Sequence, residues 1–263
     1  MNDPRNLFGD GSAYERSMGR WSQPVGAIFL DWLDVPQGLE WLDAGCGNGA
    51  FTEVVIRTCA PSRTEGIDPS ESQIAYARTR QGCAQAHFQT GDAQAIPYPD
   101  ASFDAAVMAL VISFIPDPAK AVAELKRVVR PGGCTGTYMW DNSGDSHPAH
   151  PINTALRQLG IARQGAAHSG AARLERLQEL WEGAGHADVA TRKIEIPVTF
   201  SGFDDFWQSN EISTGPLGAS LRALSSDARE ALKAKLQENL PAAPDGSISY
   251  RAYANAVKGR IPA

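Results

Sequence analysis

Apolar residues recur along this chain with two periods, and the switches between them mark out its elements. Between residues 22 and 140, short apolar runs that read as strands alternate with segments striped every three or four positions, as in a helix buried on one face. Val25, Ile28, Phe29, Trp32 and Leu33 form the first stripe, with Ser22 as candidate cap and Pro24 early in the helix. A strand over 39–44 then runs into Gly45-Cys46-Gly47-Asn48-Gly49, and Phe51, Val54, Val55 and Cys59 stripe a second helix. The next strand, 64–67, ends at Asp68-Pro69-Ser70, where the capping-box spacing of Ser70 and Gln73 predicts a helix through Ile74 and Ala77. A third strand over 86–90 ends at Gly91-Asp92. The fourth, 103–110, is almost wholly apolar, as a central parallel strand buried on both faces is. Asp117-Pro118 opens a helix carrying Ala121, Val122, Leu125, Val128 and Val129. Pro131-Gly132-Gly133 is expected to stop it before a fifth strand over 134–140.

Beyond Asp141 the pattern weakens. Residues 142–170, rich in Gly, Ala, Ser and His, read as a loop or mobile cover. A helix over 171–184, a strand over 188–196, helices over 202–210 and 226–240 and a last strand over 248–257 complete the expectation. Strand–helix alternation of this kind predicts a mostly parallel sheet with helices on both faces.

Composition narrows the classes. The 263 residues are 43% hydrophobic and 21% charged, enough apolar surface for a real core. A net charge of −6 argues against nucleic-acid and anionic-membrane partners, which call for clustered Lys and Arg. The nearest approach to a cluster, Lys126, Arg127 and Arg130, ends a helix and reads as complementing its dipole. The opening MNDPRNLFGDGS lacks an apolar run of signal-peptide length and no later segment is long enough to span a bilayer, so a cytoplasmic location is expected. Four cysteines without CxxC spacing read as reduced thiols, and no His/Asp/Glu grouping has the spacing of metal ligands.

Candidate chemistry starts at the glycine cluster. Gly45-x-Gly47 with Ala50 satisfies the dinucleotide fingerprint GxGxxG/A, and Asp68 lies where a ribose-binding acid belongs. The glycines alone fit a nicotinamide or flavin enzyme as well as one using S-adenosylmethionine. Asp43, two residues before the first glycine, works against a pyrophosphate dianion at this turn. S-adenosylmethionine brings a sulfonium and an ammonium instead, which a site edged by Asp43, Asp68 and Asp92 suits. Each acid singly also reads as a cap or turn former; three of them at successive strand ends mark the edge where open α/β sheets bind ligands.

Trp41-Leu42-Asp43-Ala44-Gly45-Cys46-Gly47-Asn48-Gly49 resembles motif I of class I S-adenosylmethionine-dependent methyltransferases, in the form of the ubiquinone-biosynthesis-like, type 11 small-molecule group. The stretch from Gly91 to Asp104 resembles that group's GDAxxLPFPDxSFD signature, and Leu125 to Gly133 its LxRVLRPGG element. The resemblance covers residues 40 to 140. It implies a Rossmann-like, doubly wound, seven-stranded and mostly parallel sheet with the last strand antiparallel, plus a helical cap. One domain is expected, with 1–38 as N-terminal cover and helix, 39–141 as cofactor-binding core and 142–263 as acceptor-covering insertions and last strands.

By the same resemblance, Asp43 and the Gly45-Cys46-Gly47 backbone hold the methionine end and Asp68 the ribose hydroxyls. Asp92 takes the adenine amino group, the Ala93 N–H meets the ring, and Pro69 and Gln73 line the adenosine. Ala109 and Leu110 face the sulfonium and the acceptor. Tyr14 to Ser22 is similar to a YxRxMGRWS opening of part of the group; Arg20 there clamps the methionine carboxylate or forms a surface salt bridge, with Tyr14 and Trp21 closing the pocket.

Val111-Ile112-Ser113-Phe114 departs from relatives that carry a histidine where Ser113 stands, which puts an acid–base role there in doubt. His147 and His150 are candidates to deprotonate an acceptor, or exposed loop residues. His87, His168 and His186 read as structural or solvent-facing. Phe200, Phe203, Phe206 and Trp207 line the acceptor pocket or fill the core. The function implied is methyl transfer to a small molecule by in-line displacement, with S-adenosylhomocysteine as product. An NAD(P)-dependent oxidoreductase and a catalytically silent binding module are the alternatives.

Overall fold

The computed structural model describes residues 19–141, 146–161, 169–213 and 216–263. Its seven strands are β1 (Glu40–Ala44), β2 (Arg63–Asp68), β3 (His87–Thr90), β4 (Phe103–Ala109), β5 (Val129–Trp140), β6 (Ala187–Phe200) and β7 (Ile248–Arg260). They form one sheet in the order β3-β2-β1-β4-β5-β7-β6. Strands β1 to β5 pair in parallel, and β7 runs antiparallel to both β5 and β6. The expected Rossmann-like, doubly wound sheet with its last strand reversed is therefore the fold.

The helices are α1 (Arg20–Leu33), α2 (Ala50–Cys59), α3 (Glu71–Thr79), α4 (Pro118–Val128), α5 (His150–Gln158), α6 (Leu174–Gly183), α7 (Phe203–Glu211), α8 (Pro216–Arg222) and α9 (Ser226–Asn239). Strand alternation divides the core between the two faces of the sheet. Trp41 on one side joins Val25, Phe29 and Leu33 of α1 and Val54 and Val55 of α2. Leu42 and Ala44 on the other join Val122 and Leu125 of α4 and Leu177 and Trp181 of α6. Phe200, at the end of β6, pairs with Ile248, at the start of β7, so residues 201–247 leave and re-enter at the C-terminal edge of the sheet. There Phe206, Leu221, Leu232 and Leu236 pack with Ile152 and Leu156 as a helical layer continuous with the α1 face.

Several sequence expectations need correction. Residues 142–170 are not one loop: 150–158 form α5, opened by Pro151 in its first turn, with Ile152, Ala155 and Leu156 buried at helical spacing. The stripe is only three residues long, too short to stand out in a Gly- and Ala-rich stretch. Helix α8 likewise lies where the sequence pattern predicts no element. Ser22 is not the cap of α1: the helix begins at Arg20, and Ser22 is buried within it with its hydroxyl donating to Gly19 O at 3.3 Å. Pro131-Gly132-Gly133 do not separate α4 from β5. The strand starts at Val129, paired with Phe103, and the three residues fall within a register shift before Cys134 pairs with Ala105. Both long strands also run further than expected, β6 to Phe200 and β7 to Arg260.

Candidate functional site

The C-terminal ends of β1, β2 and β3 lie side by side, with Asp43 paired to Gly66 and Asp68 to Thr90 in register. Three acids separated by as many as 49 positions in sequence thus fall along one edge. The turn between β1 and α2 closes against β2, with Gly45 N and Cys46 N both donating to Ile67 O at 2.7 and 2.9 Å. Gly45 has φ +84° and faces Val111; a Cβ built on it would lie 2.6 Å from Val111 Cγ2. Only glycine allows this turn and the loop after β4 to touch. Gly47, at φ +51°, is the opposite case: a Cβ there would meet nothing nearer than Gln73 Oε1 at 4.0 Å, so space is open above its backbone.

Asp43 is buried. Its Oδ2 accepts from Thr52 Oγ1 at 2.7 Å, while Oδ1 has no hydrogen-bond partner. Burial lifts its pKa to about 7, against the opposing Thr52 hydroxyl and with a smaller push from Asp68. A buried carboxylate oxygen without a donor costs free energy on the order of 1–3 kcal/mol or more. A cationic ligand at this end of the turn would relieve that cost.

Asp68 is held differently. Oδ2 accepts from Gly47 N at 3.0 Å and Oδ1 from Ser70 N at 2.9 Å, so the carboxylate braces the glycine turn against the start of α3. Burial raises its pKa, opposed by these two backbone donors. A carboxylate has about four lone-pair sites, so each oxygen keeps capacity for one further donor. Pro69 is exposed beside it, and Gln73 is buried under the turn.

Asp92 is exposed on the turn that follows β3, and Ala93 is buried next to it. Gln94 N donates to Asp92 Oδ1 at 2.8 Å, forming an Asx turn. Gly91 N donates to Asp68 O at 3.1 Å and so ties this turn to the end of β2. Ala109, the last residue of β4, is half-buried, and Leu110 after it adopts φ +60°, with its N–H bonded to Tyr138 O at 2.9 Å. A branched side chain in the left-handed region costs on the order of 1–3 kcal/mol, strain of the sort that gathers at functional edges. The turn Ile112–Phe114 follows, with Ser113 buried and its hydroxyl unpartnered.

The remaining candidates divide. Tyr14 and His168 lie outside the described residues. The guanidinium of Arg20 donates to Asp205 Oδ1 at 3.1 Å, Ser209 Oγ at 3.3 Å and Thr199 O at 3.1 Å, and sits over the rings of Trp21 and Phe200. Among the described residues it faces β6 and α7, the salt-bridge side of the two expectations. His147 and His150 are half-buried rather than exposed loop residues. His147 Nδ1 accepts from Ala149 N at 2.9 Å with its ring against Trp140, and His150 opens α5 with its ring against Tyr250. Phe200, Phe206 and Trp207 are core residues; Phe203 is half-buried beside them. His186 is buried and structural, while His87 is exposed. Among the described residues no group of His, Cys, Asp and Glu has metal-site geometry, and all four cysteines are free and buried.

Thr52, Arg80 and Glu124 shape this edge without a signal in the sequence, and Arg127, expected only to complement a helix dipole, joins them. Thr52 pins Asp43 from nine residues away. Arg80 reaches back to Asn48 O at 3.2 Å and Glu53 at 2.6 Å, bracing the glycine turn. Glu124 accepts from Ile96 N at 2.8 Å, while Arg127 donates to Ile96 O, Tyr98 O and Asp100 at 2.8–3.0 Å. Together they fasten the stretch after Asp92 to α4. Lys126, expected to complement its own helix dipole, instead donates to Ala184 O and Gly185 O, both at 2.8 Å, and so caps the C-terminus of α6.

Residues 42–135 match the sequence family described as a methyltransferase domain. The malonyl-[acyl-carrier protein] O-methyltransferase of Serratia marcescens is 34% identical over 138 residues, 50% of this chain and 52% of that protein. The chain spans roughly two fifths to one half of the first curated relatives it matches, 39%, 44% and 52%. In fold it is similar to a putative methyltransferase from Bacillus halodurans, with TM-score 0.58 and 18% identity over 90% of this chain and 99% of that one. It is also similar to Haemonchus contortus phosphoethanolamine N-methyltransferase 2 in complex with phosphomonomethylethanolamine and S-adenosylhomocysteine, with TM-score 0.60 and 18% identity over 100% of this chain and 61% of that one.

Proposed function

We propose that this protein, whose residues 42–135 carry a methyltransferase domain, binds S-adenosylmethionine along the C-terminal ends of β1 to β4 and methylates a small-molecule acceptor. The observation that carries this reading is the buried, unpartnered Oδ1 of Asp43 beside the open backbone of Gly47. A pyrophosphate at this turn would meet an uncompensated carboxylate, whereas a ligand with an ammonium and a sulfonium would supply the missing positive charge. The same argument disfavours a nicotinamide dinucleotide.

The residues fit the cofactor along its length. Asp43 and the backbone of Gly45, Cys46 and Gly47 hold the methionine end. The two remaining acceptor sites of Asp68 take the ribose hydroxyls, flanked by Pro69 and Gln73. Asp92 accepts from the adenine amino group and Ala93 packs against the ring. Ala109 and Leu110 face the methyl end, where the strained Leu110 fixes the loop that meets Gly45. The cofactor supplies a methyl group on a cationic sulfur, open to displacement by a nucleophile in line with the departing sulfur. The chain supplies position and shielding from water rather than an evident strong base.

Residues 39–141 act as the cofactor-binding core, and 142–263 supply the acceptor-covering insertions and the last strands of the sheet. The ligand named in the Haemonchus structure supports a small acceptor, and the Serratia relative's malonyl group, small but borne on a carrier protein, supports a small methylated group. Four free, buried thiols support a cytoplasmic location. Calorimetric titration with S-adenosylhomocysteine tests the reading: binding with micromolar Kd and no binding of NADH is expected. Binding of NADH alone would return the glycine turn to the dinucleotide class. Turnover of any acceptor would separate an enzyme from a silent binding module.

A further inference from the structure

We propose that Gln94 is a positioning residue that aims the Asp92 carboxylate at the adenine and joins the adenine end of the site to the loop that follows β4. The proposal rests on Asp92 receiving the adenine amino group, as inferred above. Asp92 is exposed at the tip of a turn, a place where a carboxylate ordinarily rotates freely. Here it does not. Gln94 Nε2 lies 3.2 Å from both Asp92 oxygens, in addition to the 2.8 Å bond from Gln94 N to Oδ1. The amide NH2 straddles the carboxylate, fixes its plane and leaves Oδ2 with room for one more donor.

The other end of the same amide is committed too. Gln94 Oε1 accepts from Asp117 N at 3.0 Å, and Asp117 caps α4 through Lys120 N, also at 3.0 Å. The orientation is therefore unambiguous, since a flipped amide would set oxygen against carboxylate and NH2 against N–H. Asp117 ends the loop that begins at Leu110 and includes Val111, the residue packed on Gly45. One side chain thus spans from the adenine-binding acid to the far end of the loop at the methyl end. Arg127 and Glu124 hold the following stretch to the same helix, so the turn carrying Gln94 is braced on both sides.

The test is base discrimination, which a loss of stability alone would not alter. Binding of S-adenosylhomocysteine and of S-inosylhomocysteine, which presents a carbonyl where adenine presents its amino group, is measured by calorimetry for the wild type, Gln94→Ala and Gln94→Glu. Gln94→Glu keeps an acceptor for Asp117 N and the backbone bond to Asp92 but loses the side-chain NH2 that straddles the carboxylate. The expected result is about fivefold weaker S-adenosylhomocysteine binding in each variant, with S-inosylhomocysteine binding changed by less than about twofold. Adenine-over-hypoxanthine preference therefore falls. A preference ratio unchanged in both variants, or a proportional weakening of both ligands, would overturn the proposal while leaving the methyltransferase reading intact. Failure of the wild type to bind S-adenosylhomocysteine would take both down together.

Discussion

The two ends of the same strands treat their acids in opposite ways. At the N-terminal end of the sheet, Glu40 opens β1 and is met by Arg130 at 2.6 Å and Arg63 at 3.3 Å. Asp104, in the neighbouring strand β4, takes Arg130 at 2.7 Å and the Glu40 N–H at 2.9 Å. Burial works against its ionisation, but these donors outweigh it and hold its pKa below the usual range. Three residues along β1, Asp43 has one hydroxyl partner, an empty Oδ1 and a pKa raised to about 7. The lower end is electrostatically closed and serves stability. The upper end is left incomplete, as a site awaiting a cationic ligand should be.

Histidine 186 belongs to the closed end. His186 Nε2 lies 2.8 Å from Thr135 Oγ1, which also accepts from Trp181 Nε1 at 2.9 Å, and His186 Nδ1 lies 3.1 Å from Trp181 O. A neutral ring that donates through Nδ1 and accepts at Nε2 satisfies every member of this chain; a second ring proton would break it. Burial, with Lys126 adding to it and the Trp181 carbonyl opposing, lowers its pKa to about 4.

The sharpest way to break the contrast is Asp68→Ala at the open end. It removes the brace on Gly47 and Ser70 together with the proposed ribose acceptor, and about a 100-fold loss of S-adenosylhomocysteine affinity is expected by calorimetry. The next effect in size comes from acidification at the closed end. The folded pKa of His186 lies below its unfolded value near 6.5, so its contribution is fully present above pH 6.5 and is lost as pH falls toward 4. About 2 kcal/mol of stability should disappear over that window, and urea unfolding of His186→Gln should show a flatter pH dependence.

Asp43→Asn sharpens the comparison through a third measurement. The variant keeps an acceptor for Thr52 but loses the charge, and about tenfold weaker S-adenosylmethionine binding is expected at pH 8. Because the folded pKa of Asp43 is raised, ionising it destabilises the apo protein as pH climbs from about 4 through 7. The variant's melting temperature should therefore exceed the wild type's above pH 7 and converge with it on acidification. An equal gap at every pH would contradict an ionised, unpaired Asp43. Smallest of all, Arg130→Met should cost about 1 kcal/mol, since its network is partly exposed, and leave ligand affinity unchanged. A change in affinity there would mean the two ends are coupled.

Much of the open end was legible because its chemistry is local in sequence. Glycines with positive φ, an acid just before them and acids closing the next two strands are each set by a handful of consecutive residues. The closed end and the cap were not, because their determinants lie far apart. Arg130 meets Glu40 across 90 positions, and Arg20 meets Asp205 across 185. The stripe of α5 is three residues long and has meaning only against the helices that cover it.

The sequence by itself determined which strands carry the acids, where the backbone turns at Gly45 to Gly49, and where seven strand segments fall along the chain. Periodicity and turn chemistry act over a few residues and leave a readable imprint. Tertiary structure alone decided that Asp43 keeps a buried oxygen without a donor while the half-buried Glu40 meets two guanidinium groups. It also decided that Lys126 caps a distant helix and that Gln94 holds Asp92. Whether a charge is compensated depends on burial and on partners brought together by packing, and neither is set by a residue's neighbours in the chain.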